Sequence, residues 1–406
     1  MERKIAWEKY SQEEMDKVFT FAEDYRQFLS HGKTERECVK LAVAEAKAHG
    51  YEDLNDVIAA GKTLKAGDKV YSVCMGKTLA MFQIGEEPLE NGMNIVGAHI
   101  DSPRIDLKQN PLYEDNDMAM FDTHYYGGIK KYQWVALPLA LYGVVAKKDG
   151  TTVDIAIGDD HGDPVFGISD LLPHLAREQM AKTAAKIIEG EDLNLLIGSI
   201  PVKGEEKEAV KKNILAILKE KYDIEEDDFI SAELEVVPAG AARDYGFDRS
   251  MIMGYGHDDR VCAYPSYKAM FELGSVKRTA VCLLVDKEEI GSVGATGMTS
   301  FYFENTVAEV INACGDYSDI KVRRALNNSR MLSSDVSAGF DPNYPSVMEK
   351  NNSAFLGKGL TFNKYTGSGG KSGSNDANAE YVALVRKIMD DADVTWQTAE
   401  LGKVDV

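Results

Sequence analysis

Two adjacent glutamates, Glu288 and Glu289, follow a continuous apolar run from Thr279 to Val285 that has the length of one strand. Such a run is typical of a strand buried on both faces, as in a parallel sheet. Open α/β sheets bind ligands at the carboxyl ends of their strands. Neighbouring carboxylates repel each other unless they share a proton or a cation. One glutamate could therefore hold a metal while the other takes a proton from water. A solvated acidic turn is the alternative.

Three further polar residues stand where predicted elements end or begin. His99 follows the short apolar strand Asn94 to Ala98, Asp258 begins a predicted helix, and Asp335 follows the predicted strand Arg330 to Ser334. Each residue alone has an ordinary structural alternative: a buried histidine, a helix N-cap and a turn residue.

These positions together with the glutamate pair match the ligand set of a hydrolytic Zn²⁺ or Mn²⁺ pair. A bridging carboxylate would hold the two cations about 3.5–4 Å apart, so that attacking and leaving oxygens are stabilised together. Asp101, two residues after His99, is expected to orient the imidazole. A carboxylate that does not bind metal would act as the general base.

Strands and helices alternate in the first part of the chain and again in its second half, and the predicted site residues lie in these two parts. From about Gln109 the middle of the chain has a different pattern. The middle region is therefore predicted to be an inserted domain. Hydrophobic periodicity and end signals predict helices from Ser11 to Leu29, Glu35 to His49, Ala176 to Glu189, Lys207 to Tyr222, Asp258 to Glu272, Glu304 to Cys314 and Asp376 to Met389. Further strands are predicted at Val70 to Met75, Leu79 to Ile84, Leu137 to Val145, Thr152 to Ile157 and Val394 to Thr398.

Composition narrows the class of protein. A chain of 406 residues favours two domains, and 44% hydrophobic with 28% charged residues is ordinary for a soluble globular protein. The net charge of −20 argues against nucleic-acid binding. Five scattered cysteines indicate no disulfide framework, which favours a reducing, cytoplasmic location. Neither a signal peptide nor a membrane-spanning run is predicted.

Four ordered motifs resemble the aspartyl aminopeptidase family of dinuclear-metal exopeptidases, in particular its bacterial members. They are Gly97-Ala98-His99-Ile100-Asp101-Ser102-Pro103, Asp258-Asp259-Arg260, Asp286-Lys287-Glu288-Glu289-Ile290-Gly291-Ser292, and Ser334-Asp335 followed by Asp341-Pro342-Asn343-Tyr344. Tyr126-Gly127-Gly128 also looks like a family motif. The resemblance extends over nearly the whole chain.

The resemblance implies roles for individual residues. His99, Asp258, Glu289 and Asp335 would be metal ligands, with Asp258 bridging and Glu288 as the general base. The cofactor would be two divalent ions per subunit, zinc first, with cobalt or manganese as alternatives. Lys358 could meet a substrate carboxylate, and a solvated lysine is the alternative.

The resemblance also implies a fold: a phosphorylase/hydrolase-like α/β catalytic domain, residues 1–107 and 237–406, interrupted by a β-rich dimerisation domain, residues 108–236. Family members assemble from dimers into tetrahedral dodecamers, so a homo-oligomer is expected.

Three departures from the family pattern are visible. His257 stands before Asp258, where relatives often have a hydrophobic residue, and Asp341 replaces the histidine of many members. No histidine follows His257, although the family's last metal ligand is a histidine near the C-terminus. We therefore expect a C-terminally truncated chain whose second metal site, otherwise made by Asp258, Glu289 and that histidine, is incomplete.

The function expected is a cytoplasmic metalloaminopeptidase that removes acidic or neutral N-terminal residues from peptides. The alternatives are a dinuclear carboxypeptidase or deacylase, and a non-catalytic assembly protein that keeps the fold.

The glycine-rich segment from Gly367 to Ser372 is predicted to be a flexible loop and not a phosphate-binding loop, because Tyr365 stands where that motif requires glycine.

Overall fold

The computed structural model describes residues 4–315, 317–368 and 372–403. The chain divides into two compact units. We call Tyr25–Ser334 the central unit, and Met1–Asp24 with Asp335–Val406 the terminal unit. This division differs from the predicted boundaries of the catalytic and inserted domains, which stay a prediction.

The helices agree with the sequence pattern except at three places. The α-helices of the described residues are α1 (Gln12–His31), α2 (Glu35–Ala48), α3 (Leu54–Ala59), α4 (Arg177–Met180), α5 (Ala209–Tyr222), α6 (His257–Phe271), α7 (Tyr302–Ala313), α8 (Asp319–Asn328) and α9 (Ala379–Asp391). The capping box of α1 is present, because Ser11 N–H donates to Glu14 and Glu14 N–H donates to Ser11 Oγ.

The prediction of a long helix from Ala176 to Glu189 is wrong, since only α4 forms there. Ala176 and Ile188 are buried, but Met180 between them is 70% exposed. Without a continuous buried stripe, a helix in this segment lacks the packing that usually stabilises one. The sequence analysis missed two helices, the short α3 and α8. The buried face of α8 is only Val322 and Ala325.

Most strands of the described residues belong to two six-stranded sheets, both in the central unit. The strands are β1 (Glu52–Asp53), β2 (Lys69–Cys74), β3 (Thr78–Gln83), β4 (Asn94–His99), β5 (Arg104–Asp115), β6 (Met118–Tyr126), β7 (Leu139–Ala146), β8 (Thr152–Ile157), β9 (Leu195–Gly198), β10 (Ala232–Pro238), β11 (Arg243–Tyr245), β12 (Met251–Met253), β13 (Ala280–Val285), β14 (Arg330–Ser333), β15 (Leu360–Asn363), β16 (Tyr365–Ser368), β17 (Ser372–Asp376) and β18 (Trp396–Ala399).

The first sheet has the order β1-β2-β3-β13-β4-β14 and is mixed. Its central strand β13 runs parallel to β4 and antiparallel to β3. As predicted, β13 is buried on both faces. Cys282 and Leu284 pack towards α2 and α6, whereas Val281 and Leu283 pack towards α3, α7 and α8. The sheet therefore lies between two layers of helices.

The second sheet, in the order β8-β7-β10-β5-β6-β9, is antiparallel throughout. Its core includes the fully buried Ile105, Leu139, Val145 and Val236, and α5 packs on it. Residues 100–103 connect β4 of the first sheet directly to β5 of this sheet. The described part of the protein is thus a mixed α/β fold with a mixed sheet and an antiparallel sheet.

The terminal unit contains the parallel pair β15–β18, the hairpin β16–β17 and α9. Ala6 N–H donates to Gly357 O at 2.7 Å, which ties the N-terminal segment to this unit. Residues 369–371 of the predicted flexible loop lie outside the described residues. In the part of the chain that is described, no helix is both long and apolar enough to cross a membrane.

Candidate metal centre

The sheet register brings two of the predicted motifs together. His99, the last residue of β4, is the register partner of Val285, the last residue of β13. Because parallel neighbours end at the same edge, the turn that follows β13 opens beside His99. Glu288 begins this turn, a short 3₁₀ helix that ends at Ile290.

The His99 imidazole is buried and faces carboxylates with both nitrogens. Its Nδ1 lies 2.9 Å from the backbone oxygen of Asp101 and 3.3 Å from the Asp101 carboxylate. Its Nε2 lies 3.1 Å from Asp258 Oδ1 and 3.8 Å from Glu288 Oε2. Since the Asp101 oxygens only accept hydrogen bonds, Nδ1 carries a proton, and Nε2, which faces the other two carboxylates, is the ring nitrogen that could bind a metal.

The Asp101 carboxylate is fully buried and connects the two motifs. It accepts hydrogen bonds from the backbone N–H groups of Glu288 and Glu289, both at 3.2 Å, and from the hydroxyl of Tyr126 at 2.7 Å. Burial opposes its ionisation, but the hydrogen bonds from His99 and Tyr126 outweigh burial and lower the pKa of Asp101. Asp101 therefore lies where it can orient His99 and the glutamate turn at once.

Asp258 enters the centre from the start of α6 and is about half exposed. Its backbone oxygen accepts a hydrogen bond from the Ser102 hydroxyl at 2.6 Å. The preceding His257 is held by Tyr25 Oη at 2.8 Å and by the backbone oxygen of Ile252 at 3.0 Å. Because the Ile252 oxygen can only accept, Nε2 of His257 donates and Nδ1 accepts from Tyr25. His257 thus anchors the helix start with a neutral ring.

Ligand atoms of His99, Asp258 and Glu289 all lie within 4.8 Å of one another. Burial lowers the pKa of His99, but the hydrogen bonds to Asp101 and Asp258 dominate and raise it to about 11. Burial, followed by the charge of Asp258, raises the pKa of Glu289 to about 7. One imidazole and two carboxylates are suitable ligands for zinc, so the residues fit a divalent cation.

The other two predicted site residues belong to the terminal unit. The carboxylate of Asp335 accepts a hydrogen bond from Val336 N–H at 2.7 Å, and the backbone N–H of Lys358 donates to Phe355 O at 3.2 Å. Their roles as a metal ligand and a substrate-binding residue stay predictions, as do the roles of His99, Asp101, Asp258, Glu288 and Glu289.

The sequence analysis gave no role to Tyr126 or Gly127, which lie at the end of β6 in the second sheet. Tyr126 donates to Asp101. A Cβ atom on Gly127, whose φ is +73°, would lie 3.3 Å from Glu289 Oε2. The Tyr126-Gly127-Gly128 motif was the available signal, but nothing in the sequence shows that the second sheet reaches the glutamate turn.

Comparisons with known proteins identify the family of this chain. The sequence profile of the Aminopeptidase I zinc metalloprotease (M18) family matches residues 28–405. The probable M18 family aminopeptidase 1 of Clostridium acetobutylicum is 64% identical over 405 residues, which covers all of this chain and 87% of that protein. The crystal structure of the M18 aminopeptidase of Thermotoga maritima has a TM-score of 0.94 at 44% identity, over 100% of this chain and 88% of that one.

A more distant structure, the mApe1 dodecamer of S. cerevisiae, has a TM-score of 0.70 at 19% identity, over 94% of this chain and 85% of that chain, and it supports the fold alone. The family profile and the bacterial relatives decide between the functions that the residues left open. They select an aminopeptidase over a carboxypeptidase, a deacylase or a non-catalytic protein. The chain therefore belongs to the M18 family of zinc metalloproteases, the aminopeptidases that remove N-terminal residues.

Proposed function

We propose that this M18 aminopeptidase cleaves the first peptide bond of its substrates at the centre formed by His99, Asp258 and Glu289. The observation that supports this most directly is the convergence of their ligand atoms to within 4.8 Å. These residues come from three separate parts of the chain, so their approach is not a consequence of local sequence. Zinc held there supplies a Lewis acid for the peptide carbonyl and lowers the pKa of water.

Glu288 is the proposed general base. Its Oε2 lies 3.8 Å from His99 Nε2, so it faces the same volume as the ligands. Its backbone N–H is held by Asp101. In the reaction the Glu288 carboxylate takes a proton from the attacking water and then delivers it to the nitrogen of the leaving amine. Asp101 keeps His99 in the tautomer that leaves Nε2 free for the metal.

Two further site residues are proposed on the family resemblance. Asp335 would be an additional metal ligand, and Asp258 and Glu289 would also hold a second divalent ion. Lys358 would bind an acidic substrate side chain, and neutral N-terminal residues would also be accepted. Zinc per chain, measured by elemental analysis, tests the second ion. Rates across a series of aminoacyl substrates, compared with those of Lys358→Met, test the substrate preference.

We also propose a cytoplasmic homo-oligomer built from dimers, up to a dodecamer, with residues 108–236 as the dimerisation domain. The five free cysteines fit a reducing compartment. The exposed Leu171, Leu172, Leu175 and Met180 on the central unit offer apolar area for contacts between copies. The dodecamer of the distant yeast structure has the same fold. Light scattering after size-exclusion chromatography measures the assembly, and a monomer at micromolar concentration would contradict it.

The central test of the proposed function compares peptides with a free and an acetylated N-terminus in the presence of zinc. Only the free-amine peptide should be hydrolysed, with release of its first residue. His99→Ala should lose both zinc binding and hydrolysis, because it removes the imidazole ligand. Hydrolysis of the acetylated peptide at a similar rate, or full zinc affinity in His99→Ala, would contradict the proposal.

A further inference from the structure

Tyr126 lies at the end of β6, where the second sheet meets the proposed metal centre. It is the register partner of Arg104, the first residue of β5. Its side chain is buried, at 7% exposure. The hydroxyl donates a hydrogen bond of 2.7 Å to Asp101 Oδ2, which is the shortest hydrogen bond given to that carboxylate by the described residues. Tyr126 therefore holds the carboxylate from the side of the second sheet.

Two cationic side chains hold the Tyr126 ring. The guanidinium of Arg104 lies 3.8 Å from the ring centroid, and the Lys287 ammonium lies 5.8 Å from it. Both distances are within the range of cation–π attraction. Lys287 immediately precedes Glu288 and forms an ion pair of 2.9 Å with the buried Asp286. The ring is thus held both by its own sheet and by the glutamate turn.

Arg104 is itself fixed in place by three carboxylates. Its Nε lies 2.8 Å from Asp106 and 3.2 Å from Glu235, and its Nη1 lies 3.4 Å from Glu35. Glu35 and Glu235 are buried on α2 and β10. A guanidinium with this many partners cannot move without breaking several buried interactions. The Tyr126 ring therefore packs against a rigid support.

We infer that Tyr126 is a positioning residue that, through Asp101, sets the orientation of His99 and of the Glu288–Glu289 turn. This inference rests on the proposed metal centre and adds a residue of the second sheet to it. Tyr126 touches no proposed ligand by a hydrogen bond of its own. Its effect passes through the one carboxylate that contacts His99 Nδ1 and both glutamate N–H groups.

The geometry explains why one hydroxyl matters. The Asp101 Oδ2 receives only the Tyr126 hydroxyl and the Glu289 N–H among the hydrogen bonds described for it. Without the hydroxyl, the carboxylate is held by two backbone N–H groups at 3.2 Å and by His99 Nδ1 at 3.3 Å, and these longer contacts allow it to rotate. Rotation moves the carboxylate oxygen that lies 3.3 Å from His99 Nδ1, a second partner beside the Asp101 backbone oxygen at 2.9 Å, and so loosens the orientation of the ring and of Nε2. Removal of such partners behind a metal ligand typically weakens metal affinity about 10- to 100-fold.

The test uses Tyr126→Phe in the full chain, which keeps the ring and its cation contacts and removes only the hydroxyl. Co²⁺ affinity is measured by visible absorbance titration, and kcat and KM with a free-amine peptide at saturating Co²⁺. We expect the Co²⁺ dissociation constant to rise about tenfold, kcat to fall about tenfold and KM to stay constant. The thermal unfolding midpoint of the metal-free protein serves as the measure of folding.

Tyr142→Phe is the matched control. Tyr142 lies in β7 of the same sheet, is also 7% exposed, and donates its hydroxyl to a carboxylate, that of Asp159, at 2.5 Å. It makes no described contact with the proposed centre. This variant loses the same kind of hydrogen bond, and its Co²⁺ affinity and kcat should match those of the wild type.

A second comparison places Tyr126→Phe in an Asp101→Asn background. If Tyr126 acts through Asp101, it should cause less than about a twofold further loss of Co²⁺ affinity there, since interacting residues are not additive. An undiminished tenfold loss would overturn the inference. Wild-type Co²⁺ affinity in Tyr126→Phe would also overturn the inference. A Tyr126→Phe protein that does not unfold cooperatively would overturn it too, because the hydroxyl would then be required for folding. Failure of the wild-type protein itself to bind Co²⁺ would instead overturn the proposed centre.

Discussion

Gly127 approaches Glu289 so closely that a Cβ atom at residue 127 would lie 3.2 Å from the Glu289 Cβ and 3.3 Å from its Oε2. The two residues come from different sheets, Gly127 from the end of the second sheet and Glu289 from the turn after β13. Gly127 also has a φ of +73°, which L side chains rarely adopt. Glycine at this position therefore leaves the room that the Glu289 carboxylate occupies.

Gly127→Ala should weaken metal binding and reduce kcat, because the new methyl group displaces Glu289 and strains the backbone. Gly128→Ala is the control, since its Cβ would meet no atom within 4 Å and its φ is not positive. Co²⁺ titration of both variants gives the result. Equal Co²⁺ affinity in the two variants would show that Glu289 does not need this space.

Glu288→Gln should reduce kcat about 10²- to 10⁴-fold, because the amide cannot accept the proton of the attacking water. Metal binding should persist, since Glu288 is not a proposed ligand. The measurements are hydrolysis of a free-amine peptide and zinc content after dialysis. Glu86→Gln, at an exposed glutamate, should leave both unchanged. Retained turnover in Glu288→Gln would remove the general base from the mechanism.

The metal-free protein should lose stability as the pH rises from about 4.5 to about 7, partly because of Glu289. Its pKa is 4.5 in the unfolded reference and about 7 in the fold, where burial and then the charge of Asp258 disfavour ionisation. The unfolded chain therefore ionises first, which favours unfolding through this window. Glu289→Gln has no carboxyl group to ionise at this residue, so it does not lose stability in this way. In the presence of a metal chelator, the melting temperature of Glu289→Gln minus that of wild type should increase between pH 4 and pH 8. A difference that stays constant with pH would contradict the raised pKa of Glu289.

The buried pair Glu35 and Glu235 should tolerate loss of one charge but not loss of Arg104. Burial and the proximity of Glu35 raise the pKa of Glu235. Burial also opposes ionisation of Glu35, but the charge of Arg104 outweighs it and lowers the pKa of Glu35. Glu235→Gln removes the carboxyl group of this pair whose ionisation is disfavoured, so it should change the free energy of unfolding by less than about 1 kcal/mol.

Arg104→Met leaves buried carboxylates without their cation and should cost about 3–5 kcal/mol. Urea denaturation at pH 7 measures both variants. A larger cost for Glu235→Gln than for Arg104→Met would show that Glu235 is ionised.

The sequence predicted most elements of the first sheet because their signals are local. The run before Glu288 is apolar without alternation, and β13 is buried on both faces. His99, Asp258 and Glu289 could be selected from their positions at strand and helix ends and from the family motifs, and the structure brings their ligand atoms together. What could not be predicted is which partners hold them. Tyr25 lies far from His257 in the chain, and no pattern of residue types indicates their hydrogen bond.

Errors arose where local signals were weak. The segment Ala176 to Glu189 contains good helix formers but no continuous apolar stripe, so propensity without packing misled the prediction. The opposite happened at α8, where a largely polar segment is helical because Val322 and Ala325 pack against the first sheet. In both cases tertiary packing decided the outcome, and the sequence of the segment alone does not contain it.

The passage from β4 to β5 takes only four residues, and those four include Asp101. Because of this short connection, one sheet cannot be replaced independently of the other. On the inferred role of Tyr126, a chimaera with a foreign second sheet after residue 103 needs equivalents of Arg104, Tyr126 and Gly127 in the same register. Without them, the inference predicts that His99 loses its orientation.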